Sequence, residues 1–258
     1  LVQQIYGCSY NEALKIIDRD LGIGILPEHN SGIYRQLKKE YKVPEEISKR
    51  YSLIQVKTKK FTESELAYWN SYHISEKLLK ENHVYSIKEA YLDRKRISVD
   101  PNELAFGYLF EKTYWKLYFV HRTKKYKWIS NVPLITAYGL ENLNKEYNTL
   151  ICKSLKDYMV CKQIYPHTCC VQNESKAAFS EEVVKYIKEN SKTVFYGGDS
   201  DLAGKKASYE ITGSFGFKHI NPPDNLLCEF NAKDFADWCR CEGLDKVRSH
   251  FKLKKLME

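Results

Sequence analysis

The 258-residue sequence lacks long apolar runs, zinc-finger spacing and internal repeats. No stretch approaches 18 consecutive apolar residues, which argues against a transmembrane helix, and no signal peptide is recognisable. None of the eight cysteines forms a Cys-x-x-Cys pair. Several cysteines lie in apolar runs, where a thiol behaves as a small hydrophobic group. We therefore expect a reducing, cytoplasmic compartment without membrane association, which is the host cytoplasm if the chain is viral.

What the chain has in excess is positive charge. Its net charge of +8 and pI near 8.9 suit a polyanion-binding protein, although lysines on solvated helix faces would give the same totals. One basic stretch runs from Arg35 to Lys60. A second runs from Lys112 to Lys127 and is interleaved with aromatic residues from Tyr114 to Trp128. Cations follow phosphates and aromatic rings stack on bases, so this pattern is typical of a single-strand surface; half-buried strands with core aromatics are the alternative.

The most informative segment is TVFYGGDSDLAGKKA, residues 193–207. An apolar run ends in two glycines, and Asp199 and Asp201 follow just before a predicted helix. This order places two carboxylates at the carboxyl end of a strand, where ligands bind in α/β sheets. Two carboxylates about 4 Å apart repel by roughly 4 kcal/mol at an effective dielectric constant near 20, and hard divalent cations relieve that repulsion. The alternative is a turn followed by an Asp that only caps the helix.

The remaining pattern divides the chain into two halves. Residues 2–19 have the periodicity of an amphipathic helix, and a polar segment with a short helix over 33–41 follows. Residues 51–60 alternate like a strand, Thr62 and Glu65 have the spacing of a capping box before two short helices, and residues 108–128 predict two or three antiparallel strands. From residue 131 strands and helices alternate, which indicates a parallel sheet. The predicted strands are 149–152, 169–171, 193–196 and 217–220, and the predicted helices are 155–164, 179–190, 202–211 and 233–241, with a frayed end at 253–258.

The motifs together resemble the Toprim-containing DNA primases of bacteria and their phages. The resemblance rests on TLICKSLKD at 149–157, YGGDSDLAGKKAS at 196–208, ELAYWNSYHI at 65–74, GYLFEKTYWKLYF at 107–119 and NAKDFADW at 231–238. The first residues resemble the tail of the zinc-binding domain that precedes this core. The resemblance implies an α/β fold in which a Toprim-type parallel sheet flanked by helices follows a mixed α+β subdomain. Its segments are a zinc-domain tail (1–27), a basic linker with the first strand (28–60), an N-terminal core subdomain (61–132), the Toprim domain (133–242) and a C-terminal tail (243–258).

The resemblance also implies a fragment, which fits a chain that begins at Leu1 rather than Met. Zinc would be bound only by residues upstream of Leu1, and Cys8 would be a buried helix residue. In such primases Asp199 and Asp201 match the pair that binds Mg²⁺ or Mn²⁺. Asp157 matches a further acid, although in the first turn of a helix it could serve only the helix dipole.

Lys153 is the departure from this pattern, because it stands where the family has its general acid/base Glu. Glu174 follows the next predicted strand, at the same sheet edge, so we expect it to face the Asp pair as the replacement carboxylate and as a third metal ligand; a solvated loop acid is the alternative. Lys153 would then contact a phosphate. Further phosphate candidates are Lys156, Lys205, Lys206, Lys125 and Lys127, and Asp234 and Asp237 match acids that follow the Toprim core or cap a helix.

The function implied is a nucleotidyltransferase that synthesises short RNA primers from ribonucleoside triphosphates on single-stranded DNA, in partnership with a replicative helicase. Two alternatives stay open. A Toprim nuclease would use the same metals to hydrolyse DNA, although the primase-like segment 61–128 argues against it. A degenerate module that binds template or docks on a helicase would fit the lysine at position 153.

Overall fold

The computed structural model describes residues 2–21 and 52–257. Residues 2–21 form two helices, Val2–Tyr6 and Tyr10–Leu21. The single helix expected over 2–19 is wrong, because the backbone turns at Gly7, whose φ is +58°. Cys8 lies in this break and is half-buried, so it is not a buried helix residue. Residues 28–51 of the basic linker and the helix expected over 33–41 lie outside the described residues, whereas the last residues of the linker contain the expected first strand.

The first part of the second region is an antiparallel sheet. Its strands are β1 (Ile54–Lys59), β2 (Val84–Leu92), β3 (Lys95–Ile97), β4 (Ala105–Phe110), β5 (Tyr114–Phe119) and β6 (Trp128–Ser130). The order is β1-β2-β4-β5-β6, with β3 paired to β2. The strands β2 and β3 were not predicted from the sequence. Two helices, Glu63–Asn70 and Glu76–Glu81, connect β1 to β2, and the capping box of Thr62 and Glu65 is confirmed.

The second part is a parallel sheet of β7 (Thr149–Cys152), β8 (Thr168–Cys170), β9 (Val194–Gly197) and β10 (Lys218–His219) in the order β10-β9-β7-β8. The helices Leu155–Ile164, Glu181–Glu189 and Leu202–Phe215 connect consecutive strands. The predicted α/β fold with a mixed α+β part before the parallel sheet is therefore confirmed. Since parallel strands end at one edge, the residues after β7, β8 and β9 come together there.

Three helices complete the chain: Asn225–Phe230, Phe235–Glu242 and Leu244–Leu253. The frayed end expected at 253–258 is wrong. Val247, Phe251 and Leu256 are fully buried and join a core that also contains Trp69 of the antiparallel part and Tyr158 of the parallel part. Burial of these side chains stabilises the last helix by about 1.5–3 kcal/mol each. Across 2–21 and 52–257, no helix is long and apolar enough to cross a membrane.

Candidate active site

The Asp pair lies where β9 ends and the helix Leu202–Phe215 begins. Asp201 is the N-cap of that helix, and its Oδ1 accepts a hydrogen bond of 2.7 Å from Gly204 N. The capping role considered from the sequence therefore holds for Asp201, and the Gly204 N–H, followed by the Lys233 ammonium, keeps the pKa of Asp201 below its ordinary value. Asp199 has no such role: its side chain is buried, and Gly204 packs directly against it. One carboxylate is fixed by the helix and the other by packing.

Lys233, which the sequence reasoning missed, joins the two carboxylates. Its Nζ lies 2.9 Å from Asp199 Oδ2 and 3.1 Å from Asp201 Oδ2. Partial burial opposes its charge, but these two bonds prevail and raise the pKa of Lys233. A backbone hydrogen bond of 2.8 Å from Ser200 N to Lys233 O holds the two segments together. The signal in the sequence was its position beside Asp234 in NAKDFADW, a motif from which only the acids were taken.

Lys153 follows β7 and reaches the other side of Asp199. Its Nζ pairs with Asp199 Oδ1 and lies 3.8 Å from Asp234 Oδ2. Burial alone would lower the pKa of Lys153, but the carboxylates of Asp157, Asp234 and Asp199 outweigh it and raise that pKa. The structure thus places Lys153 among carboxylates, and its expected contact with a phosphate stays a prediction.

Asp157 and Asp234 link two helices beneath this cluster. Asp157 is buried; its Oδ2 accepts from Ser154 Oγ at 2.6 Å, and its Oδ1 accepts from Ala236 N at 3.1 Å. Asp234 caps the helix Phe235–Glu242 by accepting from Asp237 N at 2.7 Å. Burial, reinforced by the neighbouring charge of Asp234, raises the pKa of Asp157. These contacts support the alternative in which Asp157 and Asp234 stabilise helix N-termini by accepting backbone hydrogen bonds. A catalytic role for Asp157 stays a prediction.

Glu174 lies just beyond β8, and the charge of Asp199 acts on its carboxylate. Burial, followed by the charge of Asp199, raises the pKa of Glu174, while Lys153 and Lys233 act in the opposite direction. The Oε2 atom of Glu174 is buried and has no hydrogen-bond partner. Its loop is anchored by Lys116 Nζ, which donates to Gln172 O at 2.6 Å. Glu174 is therefore held near the cluster with one carboxylate oxygen uncommitted.

The other predicted phosphate ligands are distributed differently. Lys156 is inside the cluster, 3.6 Å from Asp237 Oδ1 and 4.3 Å from the centre of the Tyr72 ring. Lys205 pairs at 2.7 Å with Asp224 Oδ2, outside the cluster, and Lys206 is exposed. Neither arrangement tests phosphate binding, so these roles stay predictions.

The basic and aromatic segment around β5 and β6 is partly core and partly surface. Tyr118 and Phe119 are buried, as in the alternative of half-buried strands. Tyr126 and Trp128 are 55% and 40% exposed. Lys125 Nζ lies 5.1 Å from the centre of the Tyr126 ring, and Lys127 Nζ lies 5.6 Å from that of Tyr118. This face therefore carries two exposed aromatic rings, those of Tyr126 and Trp128, and Lys125 lies beside the first.

Lys233 also shows how the cluster suits a divalent metal. Its ammonium occupies a position shared by the oxygens of Asp199 and Asp201, which is where a cation bound by both carboxylates would lie. Glu174, on whose carboxylate the charge of Asp199 acts, is a further acid of the type that Mg²⁺ and Mn²⁺ prefer. The carboxylate oxygens therefore fit a divalent ion, provided that Lys233 moves aside. As they stand, no three His, Cys, Asp or Glu residues within the described ranges already converge on one metal position.

Comparison with solved structures decides the fold. A DnaG catalytic core is 13% identical with a TM-score of 0.51, and the match covers 74% of this chain and 73% of that one. A DnaG primase catalytic domain bound to single-stranded DNA is 12% identical with a TM-score of 0.52, and the match covers 74% of each chain. This chain has the fold of a primase catalytic core. The resemblance inferred from the motifs is confirmed at that level; the Toprim assignment and the zinc-domain tail stay predictions. No protein-family model matches the sequence, and no curated protein sequence matches it.

Proposed function

We propose that this chain is the catalytic core of a DNA primase, which synthesises short RNA primers on single-stranded DNA by metal-dependent nucleotidyl transfer. The observation that carries the proposal is the shared cation position between Asp199 and Asp201, at the edge where the parallel strands of a primase fold end. The fold limits the reactions to be considered, and the acidic edge supplies groups suited to one of them. In a cell we expect this activity in the cytoplasm, beside a replicative helicase.

Asp199, Asp201 and Glu174 are the proposed metal ligands. Mg²⁺ or Mn²⁺ bound there would neutralise the triphosphate and favour departure of pyrophosphate. Glu174 is also the proposed general base, with one carboxylate oxygen on the metal and Oε2 left to accept a proton. Its raised pKa and its uncommitted Oε2 suit it to accept the proton of the primer 3′-hydroxyl. Asp157 is a catalytic candidate from the resemblance. Its Oδ1 accepts from Ala236 N and so connects its own helix to the start of the helix Phe235–Glu242.

Template and nucleotide would bind to the basic side chains. Exposed Tyr126, with Lys125 against its ring, is suited to stack on a template base while the ammonium meets a phosphate. Lys127 lies on the same segment. Lys153, Lys156 and Lys205 lie nearer the acidic cluster and are the proposed contacts for the triphosphate of an incoming ribonucleotide.

Primer synthesis by an Asp199→Asn/Asp201→Asn double variant tests the proposal. Asn retains the ability to cap the helix, and circular dichroism checks that the variant stays folded without the ion pairs of Asp199. We expect metal-dependent synthesis to disappear while binding of single-stranded DNA is largely retained. Asp245→Asn is the matched control, since it removes an exposed carboxylate that only pairs with Arg248. Synthesis near the wild-type level in the double variant would refute the assignment.

The role of Glu174 is tested separately by Glu174→Gln, which keeps the size of the side chain and removes its charge. We expect synthesis with Mg²⁺ or Mn²⁺ to fall by about 10²-fold or more, as for loss of a positioned general base. Full primer synthesis by this variant would exclude Glu174 as the replacement carboxylate and leave the Asp pair assignment intact.

A template-binding module without catalysis is the second candidate. It is favoured by the two ammonium groups that already pair with Asp199, because they could satisfy this carboxylate permanently. Metal titration separates the two functions. A wild-type protein that binds single-stranded DNA but shows no Mn²⁺ binding dependent on Asp199 and Asp201 would establish the module and exclude the polymerase.

A further inference from the structure

The two lysines that contact Asp199 are held in different ways. Lys233 reaches the carboxylates from the surface, and 43% of its side chain is exposed. Lys153 extends from the end of β7, directly after the fully buried Cys152, and only 14% of its side chain is exposed. A long, half-exposed side chain can swing into solvent when a metal ion takes over its charge beside Asp199 and Asp201. A largely buried ammonium cannot leave its carboxylates without losing charge compensation.

The positions of the two ammonium groups also differ. Lys233 bridges Asp199 and Asp201, the proposed metal ligands. Lys153 lies between Asp199 and Asp234, on the opposite oxygen of Asp199. The cluster therefore has two cation positions that share the Asp199 carboxylate. The first is occupied by a side chain that can be displaced and the second by one that cannot.

We infer that Lys153 is a built-in cation that takes the place of a second divalent metal ion, so that the cluster binds one divalent ion rather than two. This inference rests on the proposed metal-dependent function. A divalent ion at the position between Asp199 and Asp234 would be a few ångströms from an ammonium of like sign, which repels it strongly in a partly buried site. The position of Lys233 also feels the charge of Lys153, but that ammonium does not occupy it, and a divalent ion there gains the carboxylates of both Asp199 and Asp201 once Lys233 has moved.

The fixed charge also explains how a lysine can occupy position 153 without disabling the site. A second metal ion in nucleotidyl transfer stabilises charge on the departing oxygens. An ammonium at the same place offers a triphosphate one positive charge and those of its three N–H donors that the carboxylates leave free. Lys153 then offsets part of the negative charge of Asp199 and Asp234 before substrate binds and can contact phosphate when it does.

Counting bound Mn²⁺ ions tests the inference, because the electron paramagnetic resonance signal of free Mn²⁺ disappears on binding. The number compared is the number of Mn²⁺ ions bound per protein that are no longer bound by the Asp199→Asn/Asp201→Asn variant. We expect one such ion in the wild-type protein, two in Lys153→Gln and one in Lys153→Arg, which keeps the cation. Lys185→Gln is the control and should bind one ion, since Lys185 pairs with Glu189 on an exposed helix face.

Three outcomes would overturn the inference: two ions or none in the wild type, one ion in folded Lys153→Gln, or two ions in Lys153→Arg. If Lys153→Gln is unfolded by circular dichroism, Lys153→Met and the counts in the wild type and Lys153→Arg decide the question. The ion count does not depend on polymerisation. A wild-type protein with one ion and no primer synthesis would therefore leave this inference intact and refute the proposed function.

Discussion

Two glycines of the helix Leu202–Phe215 provide a matched test of the site, because only one of them contacts an active-site residue. A Cβ added at Gly204 would lie 2.3 Å from the Cβ of Asp199 and 2.9 Å from its Cα and O. A Cβ added at Gly213 would have nothing within 4 Å. The same substitution, Gly→Ala, therefore separates the helix propensity of alanine from the close approach of the helix to Asp199.

The magnitudes follow from these distances. Ala is favoured over Gly inside a helix by about 1 kcal/mol, so Gly213→Ala should raise the melting temperature by about 2–4 °C for a domain of this size. Gly204→Ala gains the same propensity but inserts a methyl group into occupied space, which costs about 1–3 kcal/mol. Carbon atoms pack at about 3.5–4.0 Å, so Asp199 must move by roughly 1 Å.

The assay is primer synthesis and thermal melting of both variants. A displacement of about 1 Å at a catalytic group can cost about 10²-fold in rate, and we expect that loss for Gly204→Ala and none for Gly213→Ala. The melting temperature of Gly204→Ala should be equal to or below that of the wild type. If Gly204→Ala is stabilised like Gly213→Ala and retains full synthesis, the contact with Asp199 does not position the site.

Three further predictions concern stability and template binding. Thr62→Ala removes the capping box with Glu65 and should lower the free energy of unfolding by about 1 kcal/mol, measured by urea denaturation. Burial lowers the pKa of Lys116 from 10.5 to about 8, so charging this lysine opposes folding below pH 8 and ceases to do so as the pH rises toward 10.5. The stability gain of Lys116→Met over the wild type should therefore shrink by about 3 kcal/mol between pH 7 and pH 10.5. A gain that does not change with pH would contradict the lowered pKa of Lys116. Tyr126→Ala should weaken binding of a single-stranded oligonucleotide by about 1–3 kcal/mol in a fluorescence anisotropy titration. Tyr186→Ala, which removes an exposed ring from the helix Glu181–Glu189, should not weaken it.

The parallel half of the fold was predictable from the sequence because each of its elements carries a strong local signal. The helix Leu155–Ile164 has the bounds that the pattern predicted, and the strand at 149–152 is equally accurate. The strands β2 and β3 were missed because the stretch around Lys88 and Arg94 mixes charged and apolar residues without regular alternation. The final helix was mistaken for a tail because its buried residues, Val247 and Phe251, are too few to stand out among charged neighbours.

The site was predictable only in part, for a different reason. Asp199 and Asp201 follow one strand in a recognisable order, so their proximity can be read locally. The pairing of Lys233 with them depends on a backbone bond between Ser200 and Lys233, which are 33 positions apart. The local signal for Lys233, its place beside Asp234 in NAKDFADW, does not show which carboxylates it would pair with. Contacts made by such long-range packing require the structure.

Lys153 and Glu174 follow neighbouring strands that end at one edge of the parallel sheet. Lys153 follows β7, Glu174 follows β8 and Asp199 follows β9, and all three strands are parallel neighbours or next neighbours. The proposal that Glu174 replaces the carboxylate expected at position 153 needs no movement of the cluster, because β7 and β8 end at the same edge. The lysine left after β7 meets the charge of Asp199 and Asp234 instead. The chemistry of this edge therefore depends on which charged side chains lie there, and any of the strands that end at this edge can carry them.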